Sequence, residues 1–197
     1  MSGPLIGIVG SAGAYGRWLQ QFFRARMGLE VIGHDPADAS SFDEAELVRR
    51  ADVLVFSVPI RHAAALIARH ADLAEGSEEG KLWLDVTSIK AVPVAAMLRS
   101  RAEVVGLHPM TAPPKAPTLK GRVMVVCDAR LDRWRPWLDE LLSALEAECV
   151  RATPEQHDRV MALVQAMVHA AHLAQAGVLR KQATQVGDLA AVMPFRS

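Results

Sequence analysis

The chain has 197 residues, 51% of them apolar, with 22 basic and 22 acidic side chains in balance. A chain of that length buries roughly 70% of the surface its unfolded form exposes, enough for one compact domain with a smaller appendage. Charges of both signs are interspersed, which argues against the basic stripe of a nucleic-acid binder, and no apolar run reaches the roughly 18 residues of a membrane span.

Met1-Ser2-Gly3-Pro4 leads straight into a strand pattern with no basic leader or long apolar stretch, so a cytoplasmic protein is expected. Short β-branched runs then alternate with longer helical stretches. The runs predict strands over 5–9, 30–34, 53–57, 82–85, 103–107, 122–127 and 149–152, with helices such as 17–27, 61–70, 92–99 and 131–146 between them. Such alternation predicts an α/β fold, a mainly parallel, doubly wound sheet with helices on both faces. Trp134 and Trp137 in the last of those helices read as packing residues. Cys127 and Cys149 sit among strand-like apolar residues with no CxxC or Cys/His spacing, and are expected to be buried, reduced thiols.

Thr153 begins a different element. With Pro154 at the first helical position and Gln156 three residues after the cap, it reads as a capping box opening a helix of about 25 to 30 residues, roughly 40 Å long. Met161, Leu163, Val164, Met167, Val168 and Leu173 make that helix apolar nearly all round, which predicts burial on most sides. The sequence ends at Ser197, just after Met193-Pro194-Phe195, so a second copy is expected to cover the helix. The expected domains are 1–152, binding a nucleotide, and 153–197, a partial helical domain for dimerisation and substrate contact.

The first strand runs into Gly10-Ser11-Ala12-Gly13-Ala14-Tyr15-Gly16, with helix-forming residues following at once. Glycines there permit a tight turn and let a pyrophosphate approach backbone N–H groups at a helix N-terminus, whose partial positive charge favours the anion. Ser11 stands where the strict G-x-G-x-x-G fingerprint has glycine, so Gly10, Gly13 and Gly16 form a variant of it. Asp35 ends the second strand nineteen residues after Gly16, where a carboxylate accepts from ribose hydroxyls and repels a 2′-phosphate. A Rossmann-like domain binding NAD in preference to NADP is expected. The alternative is that these glycines and Asp35-Pro36 only tighten turns.

Three further segments fall where strands should end: Ser57-Val58-Pro59-Ile60, Asp85-Val86-Thr87-Ser88-Ile89-Lys90 and Gly106-Leu107-His108-Pro109-Met110. Ligands of such sheets bind at that rim, and a histidine there exchanges protons near neutral pH, so His108 is the first candidate for chemistry. On the long helix, Gln165, His169 and His172 fall within about 60° of one another and His157 about 60° further round. His169 can equally be a core histidine, and His157 and His172 read better as structural ones. His34, His62 and His70 read as surface or strand-end residues, Thr87-Ser88 can simply cap the following helix, and Lys90 reads as a helix-start surface charge. No metal is expected, because His169 and His172 lack further ligands on a matching face.

Together the glycine loop, these three segments, Glu155-Gln156-His157-Asp158 and Gln165-Ala166-Met167-Val168-His169 resemble, in order from Leu5 to His172, the prephenate and arogenate dehydrogenases of tyrosine biosynthesis. The resemblance implies NAD-dependent oxidative decarboxylation of a small cyclohexadienyl acid, prephenate or arogenate, by a homodimer joined through its C-terminal helices. It implies that His108 accepts the proton of the ring hydroxyl and that Ser88 orients substrate and nicotinamide. Gly10, Ser11, Ala12, Gly13, Tyr15, Gly16, Asp35, Ser57, Val58 and Pro59 would hold the cofactor, with Val58-Pro59-Ile60 forming the loop against its nicotinamide face. Gln165 and His169 would contact the substrate. Two departures accompany it: Thr111-Ala112-Pro113-Pro114 replaces an aromatic or small residue followed by glycine, and Arg196 sits too early to match the family's carboxylate-binding arginine. Other readings are a dehydrogenase of the 4-amino analogue, and a noncatalytic NAD-binding module or fragment of a longer enzyme.

Overall fold

The computed structural model describes residues 3–186. Its elements are β1 (Ile6–Val9), α1 (Ala14–Met27), β2 (Val31–His34), α2 (Glu44–Arg50), β3 (Val53–Phe56), α3 (Ile60–Ala74), β4 (Leu82–Asp85), α4 (Ala91–Met97), β5 (Glu103–Pro109), β6 (Val123–Arg130), α5 (Arg135–Leu145), β7 (Glu148–Arg151) and α6 (Pro154–Val186). The strands form one sheet in the order β2-β1-β3-β4-β5-β6-β7, parallel throughout except where β6 runs antiparallel to β5. This is the Rossmann-like, doubly wound arrangement that the alternation predicts.

The first four strands of the sequence are nearly all apolar because both of their faces are covered. Ile6, Ile8, Val53, Val55, Leu82 and Leu84 pack with Trp18, Phe22 and Phe23 of α1 and Leu138, Leu141 and Leu145 of α5. Val9, Leu54, Phe56 and Trp83 turn the other way, onto Leu47 of α2, Ile67 of α3 and Val94 and Met97 of α4. The α2 helix, absent from the sequence reading, is started by Asp43, whose carboxylate accepts from the N–H groups of Ala45 and Glu46.

Four expectations are corrected. First, β5 does not stop at Leu107. It continues through His108, paired with Val125, and Pro109, paired with Met124. The β4 partner has already ended, opposite Gly106, and Met110 N–H donates across to Val123 on β6. Alternation of backbone groups therefore turns position 109 to the open side, where a proline's missing donor removes no ladder bond. Second, Cys127 is buried but Cys149 is exposed, because β7 is the sheet's edge. Third, His70 is not a surface residue. It lies buried on α3, edge-on to Phe56, with Nδ1 2.7 Å from the Leu66 carbonyl, and burial pulls its pKa down. The fourth is Lys90, which belongs to the site below.

The capping box is present: Thr153 N–H donates to Gln156 Oε1 at 3.0 Å, and Gln156 N–H donates to Thr153 Oγ1 at 3.1 Å. The helix α6 runs through Gly177 to 33 residues, longer than predicted. The chain divides into two compact units, Met1–Asp158 and Arg159–Ser197. In the second unit Val160, Leu163, Met167, Leu173 and Val178 are 59–74% exposed in the single chain. Among the described residues, no helix is long and apolar enough to cross a membrane. Met193-Pro194-Phe195 and Arg196 lie outside the described residues.

Candidate active site

The turn from β1 into α1 is built by glycines with distinct duties. Gly10 has φ +84°, and a Cβ there would lie 2.3 Å from the Ser57 carbonyl oxygen. At Gly16 a Cβ would lie 2.1 Å from the Gly10 oxygen, so only glycine lets the first turn of α1 close onto the strand end. Ser11 is tolerated for a reason outside the loop: its buried side chain fills the space over Gly33 of β2, where a Cβ would come within 2.4 Å of it. Gly13 is the N-cap of α1 and keeps the loop bare of a side chain there. Asp35 is oriented by two donors, the N–H of Ala12 at 3.1 Å and of Ala37 at 2.9 Å.

A cleft of about 300 Å³ opens at this point, lined by Gly10, Gly13, His34, Asp35, Ser57, Val58, Pro59 and His62. It lies between the ends of β1 and β3, where the chain's crossovers diverge to opposite sides of the sheet, the position at which such folds take their ligands. The residues present fit a dinucleotide: an open glycine turn at a helix N-terminus with an oriented carboxylate beside it. Tyr15 packs edge-on against Trp18 instead, at 5.7 Å, with its hydroxyl buried and its pKa raised by that burial.

On the far side of the rim, His108 is 7% exposed. Its Nδ1 lies 2.8 Å from Nε2 of His157, and Nδ1 of His157 lies 2.7 Å from Oδ1 of Asp158. The Asp158 carboxylate is itself held by two backbone donors, Lys90 N–H at 2.8 Å and Ala91 N–H at 2.9 Å, which it caps at the start of α4. Burial pushes His108 down to about 4, helped by the neighbouring His157 and the Lys90 ammonium, so its imidazole is neutral at pH 7. Burial works against the Asp158 anion. The Ala91 N–H, the His157 ring and the Lys90 N–H nonetheless hold Asp158 below the ordinary carboxylate range.

Lys90 is wholly buried, not a surface charge. Its ammonium ion-pairs with the equally buried Asp85 and donates to the Leu107 carbonyl at 2.8 Å, clamping the end of β4 to the backbone just before His108. Gly106 makes the crossing possible, since a Cβ there would come within 3.0 Å of the Lys90 Cδ. Burial lowers the Lys90 pKa, and the Asp85 carboxylate opposes that shift. Ser88 stands exposed on the loop between Asp85 and Lys90 and does not cap α4, a task that Asp158 performs.

The structure thus groups Gly10, Gly13, Asp35, Ser57, Val58 and Pro59 at the cleft, whereas Ser11 is turned onto Gly33 and Ala12 lines a separate hollow beside α1; Ser88 lies on the loop after β4 and His108 on the neighbouring β5. Gln165, His169 and His172 lie exposed on the part of α6 that forms the second unit. Sequence reasoning missed His157, Asp158, Asp85 and Lys90. A lysine and an aspartate bracketing a short loop after an apolar strand, and a His-Asp pair in the first turn of a capped helix, were the available signals.

These features define a nucleotide-binding domain of Rossmann type. The family model described as the nucleotide-binding domain of prephenate dehydrogenase matches residues 33–153. The chain belongs to the prephenate dehydrogenase family. It is 26% identical to a probable arogenate/prephenate dehydrogenase of Methanocaldococcus jannaschii, over 89% of this chain and 42% of that protein. It is 33% identical to a 4-amino-4-deoxyprephenate dehydrogenase of Streptomyces pristinaespiralis, over 92% of this chain and 65% of that protein. The chain therefore spans between about two fifths and two thirds of these relatives' lengths. The crystal structure of Synechocystis arogenate dehydrogenase shares the fold, with a TM-score of 0.73 at 21% identity over 93% of this chain and 75% of that one.

Proposed function

We propose that this chain carries the NAD site and the proton acceptor of an oxidative decarboxylation, converting prephenate to 4-hydroxyphenylpyruvate or arogenate to tyrosine. The observation that carries the reading is His108: a buried, neutral imidazole beside the loop that bears Ser88. When bound, NAD supplies the hydride acceptor for the ring carbon that bears the hydroxyl. His108 takes the hydroxyl proton through the ring nitrogen that does not face His157, so that charge builds on oxygen as hydride departs, and returns it to the phenol once carbon dioxide is lost. A base so placed contributes about 10²- to 10⁴-fold. Ser88 orients the substrate, Val58 and Pro59 wall the nicotinamide side, Asp35 takes the ribose hydroxyls, and Gly10, Gly13 and the α1 N-terminus receive the pyrophosphate. Gln165 and His169 are the residues that family resemblance assigns to substrate contact. A cytoplasmic homodimer joined through α6 completes the reading, and a mass measurement in solution tests the dimer.

Kinship with the Streptomyces pristinaespiralis protein favours one second reading, a 4-amino analogue as substrate. Following the ultraviolet absorbance of reduced nicotinamide with NAD and each of prephenate, arogenate and aminodeoxyprephenate separates the candidates. NAD binding without oxidation of any of them removes the enzyme reading of this chain. His108→Asn should lower turnover by at least about 100-fold with NAD affinity unchanged, and near-normal turnover would refute its role. Asp35→Ala should narrow the preference for NAD over NADP.

A further inference from the structure

We propose that His157 and Asp158 are positioning residues that hold His108 in its Nδ1–H tautomer and so present Nε2 as a bare acceptor towards the substrate. The inference rests on the reading of His108 as the proton acceptor. Its direction follows from the donor inventory. The Asp158 carboxylate is locked by the N–H groups of Lys90 and Ala91 and has only lone pairs to offer. At 2.7 Å from it, Nδ1 of His157 must carry the proton. A neutral His157 ring that carries its proton there has Nε2 as an acceptor. The 2.8 Å contact to His108 needs a donor, which only His108 Nδ1–H can supply. Every bond in the chain of three groups points the same way, towards Asp158. Nε2 of His108 is left unprotonated, the state required of a base.

The arrangement also serves the protonated state. When Nε2 takes the substrate's proton, the imidazolium keeps donating from Nδ1 to His157, whose own Nδ1–H ends on the carboxylate. The new charge is thereby set against Asp158 through one intervening ring, the role a buried carboxylate plays behind a catalytic histidine. Both imidazoles are nearly inaccessible, so water does not compete for these bonds.

The test is long-range proton–nitrogen correlation spectroscopy on the full chain labelled with ¹⁵N-histidine, His108 being assigned by the loss of its signals in His108→Asn. The expected spectrum at neutral pH has His108 protonated at Nδ1 and bare at Nε2. His157→Phe should abolish that signature and bring up the Nε2–H form, and His157→Gln, whose amide oxygen accepts the same bond, should restore it. In turnover assays His157→Phe should lower kcat by about 100-fold with KM within about twofold, and His157→Gln should recover most of the loss. A proton on Nε2 of His108 in the parent chain, or an unchanged tautomer in His157→Phe, overturns the proposal. An Nδ1–H tautomer together with normal turnover in His108→Asn instead overturns the base assignment and leaves the positioning intact.

Discussion

Lys90→Met removes the cation of an ion pair whose two side chains are both 0% exposed. What remains is a buried Asp85 carboxylate without its counter-charge and a Leu107 carbonyl without its 2.8 Å donor. Breaking a buried pair from one side costs about 3–5 kcal/mol, more than the pair contributes relative to an apolar substitute, because the desolvated partner charge is stranded. For a chain of this size each kcal/mol lowers the melting temperature by about 2–4 °C, so Lys90→Met should melt roughly 6–20 °C below the parent. Asp85→Asn should fall in the same range for the mirror-image reason, a buried ammonium left unpaired. In the double variant neither charge remains, the amide oxygen introduced by Asp85→Asn can still accept from Thr87 N–H, and methionine fills the space of the lysine stem. It should therefore be more stable than either single variant, a non-additivity that a double-mutant cycle reads directly. Thermal melts by calorimetry at pH 7 provide the measurement. A Lys90→Met protein melting within about 2 °C of the parent, or a double variant weaker than both singles, would refute the reasoning. The same substitution removes a cation that helps depress His108, so His108 should titrate nearer its ordinary range in Lys90→Met.

Gly33→Ala should destabilise by about 1–3 kcal/mol through overpacking onto Ser11, and adding Ser11→Gly should recover most of it in urea titrations; no rescue would mean that Ser11 and Gly33 do not share that space. Gly10→Ala should abolish NAD binding measured by nucleotide fluorescence, since a left-handed backbone and a carbonyl at 2.3 Å both oppose a Cβ. His108 titrates at about 4 when folded against about 6.5 unfolded, so below pH 6.5 the unfolded state takes up a proton that the folded state refuses. Stability should accordingly be undiminished above pH 6.5 and fall by about 3 kcal/mol as pH drops to 4, and His108→Asn should lack that increment; equal pH dependence in the two proteins would contradict the shift. Thr153→Ala should cost about 1 kcal/mol through loss of the capping box, seen as a lowered urea midpoint.

Features legible in the sequence were those decided within a few residues. The glycine turn, the Asp35 at a strand end and the Thr153–Gln156 capping box each depend on local backbone geometry, and each lies where its spacing predicts. The strand and helix alternation was legible because strands buried on both faces must be continuously apolar. The end of β5 was not, since whether Pro109 disrupts a ladder depends on where β4 stops and on how far β6 extends.

By itself, then, the sequence determined the α/β class and the position of the glycine turn, and it singled out His108 as the candidate for chemistry. Only the tertiary structure decided that Lys90 and Asp85 are a buried pair, that Cys149 is exposed on an edge, and that His157, 49 residues from His108, stands behind it. Periodicity and turn chemistry are properties of neighbouring residues. The protonation and the tautomer of a buried side chain depend instead on charges, donors and acceptors that meet only when distant segments close around it.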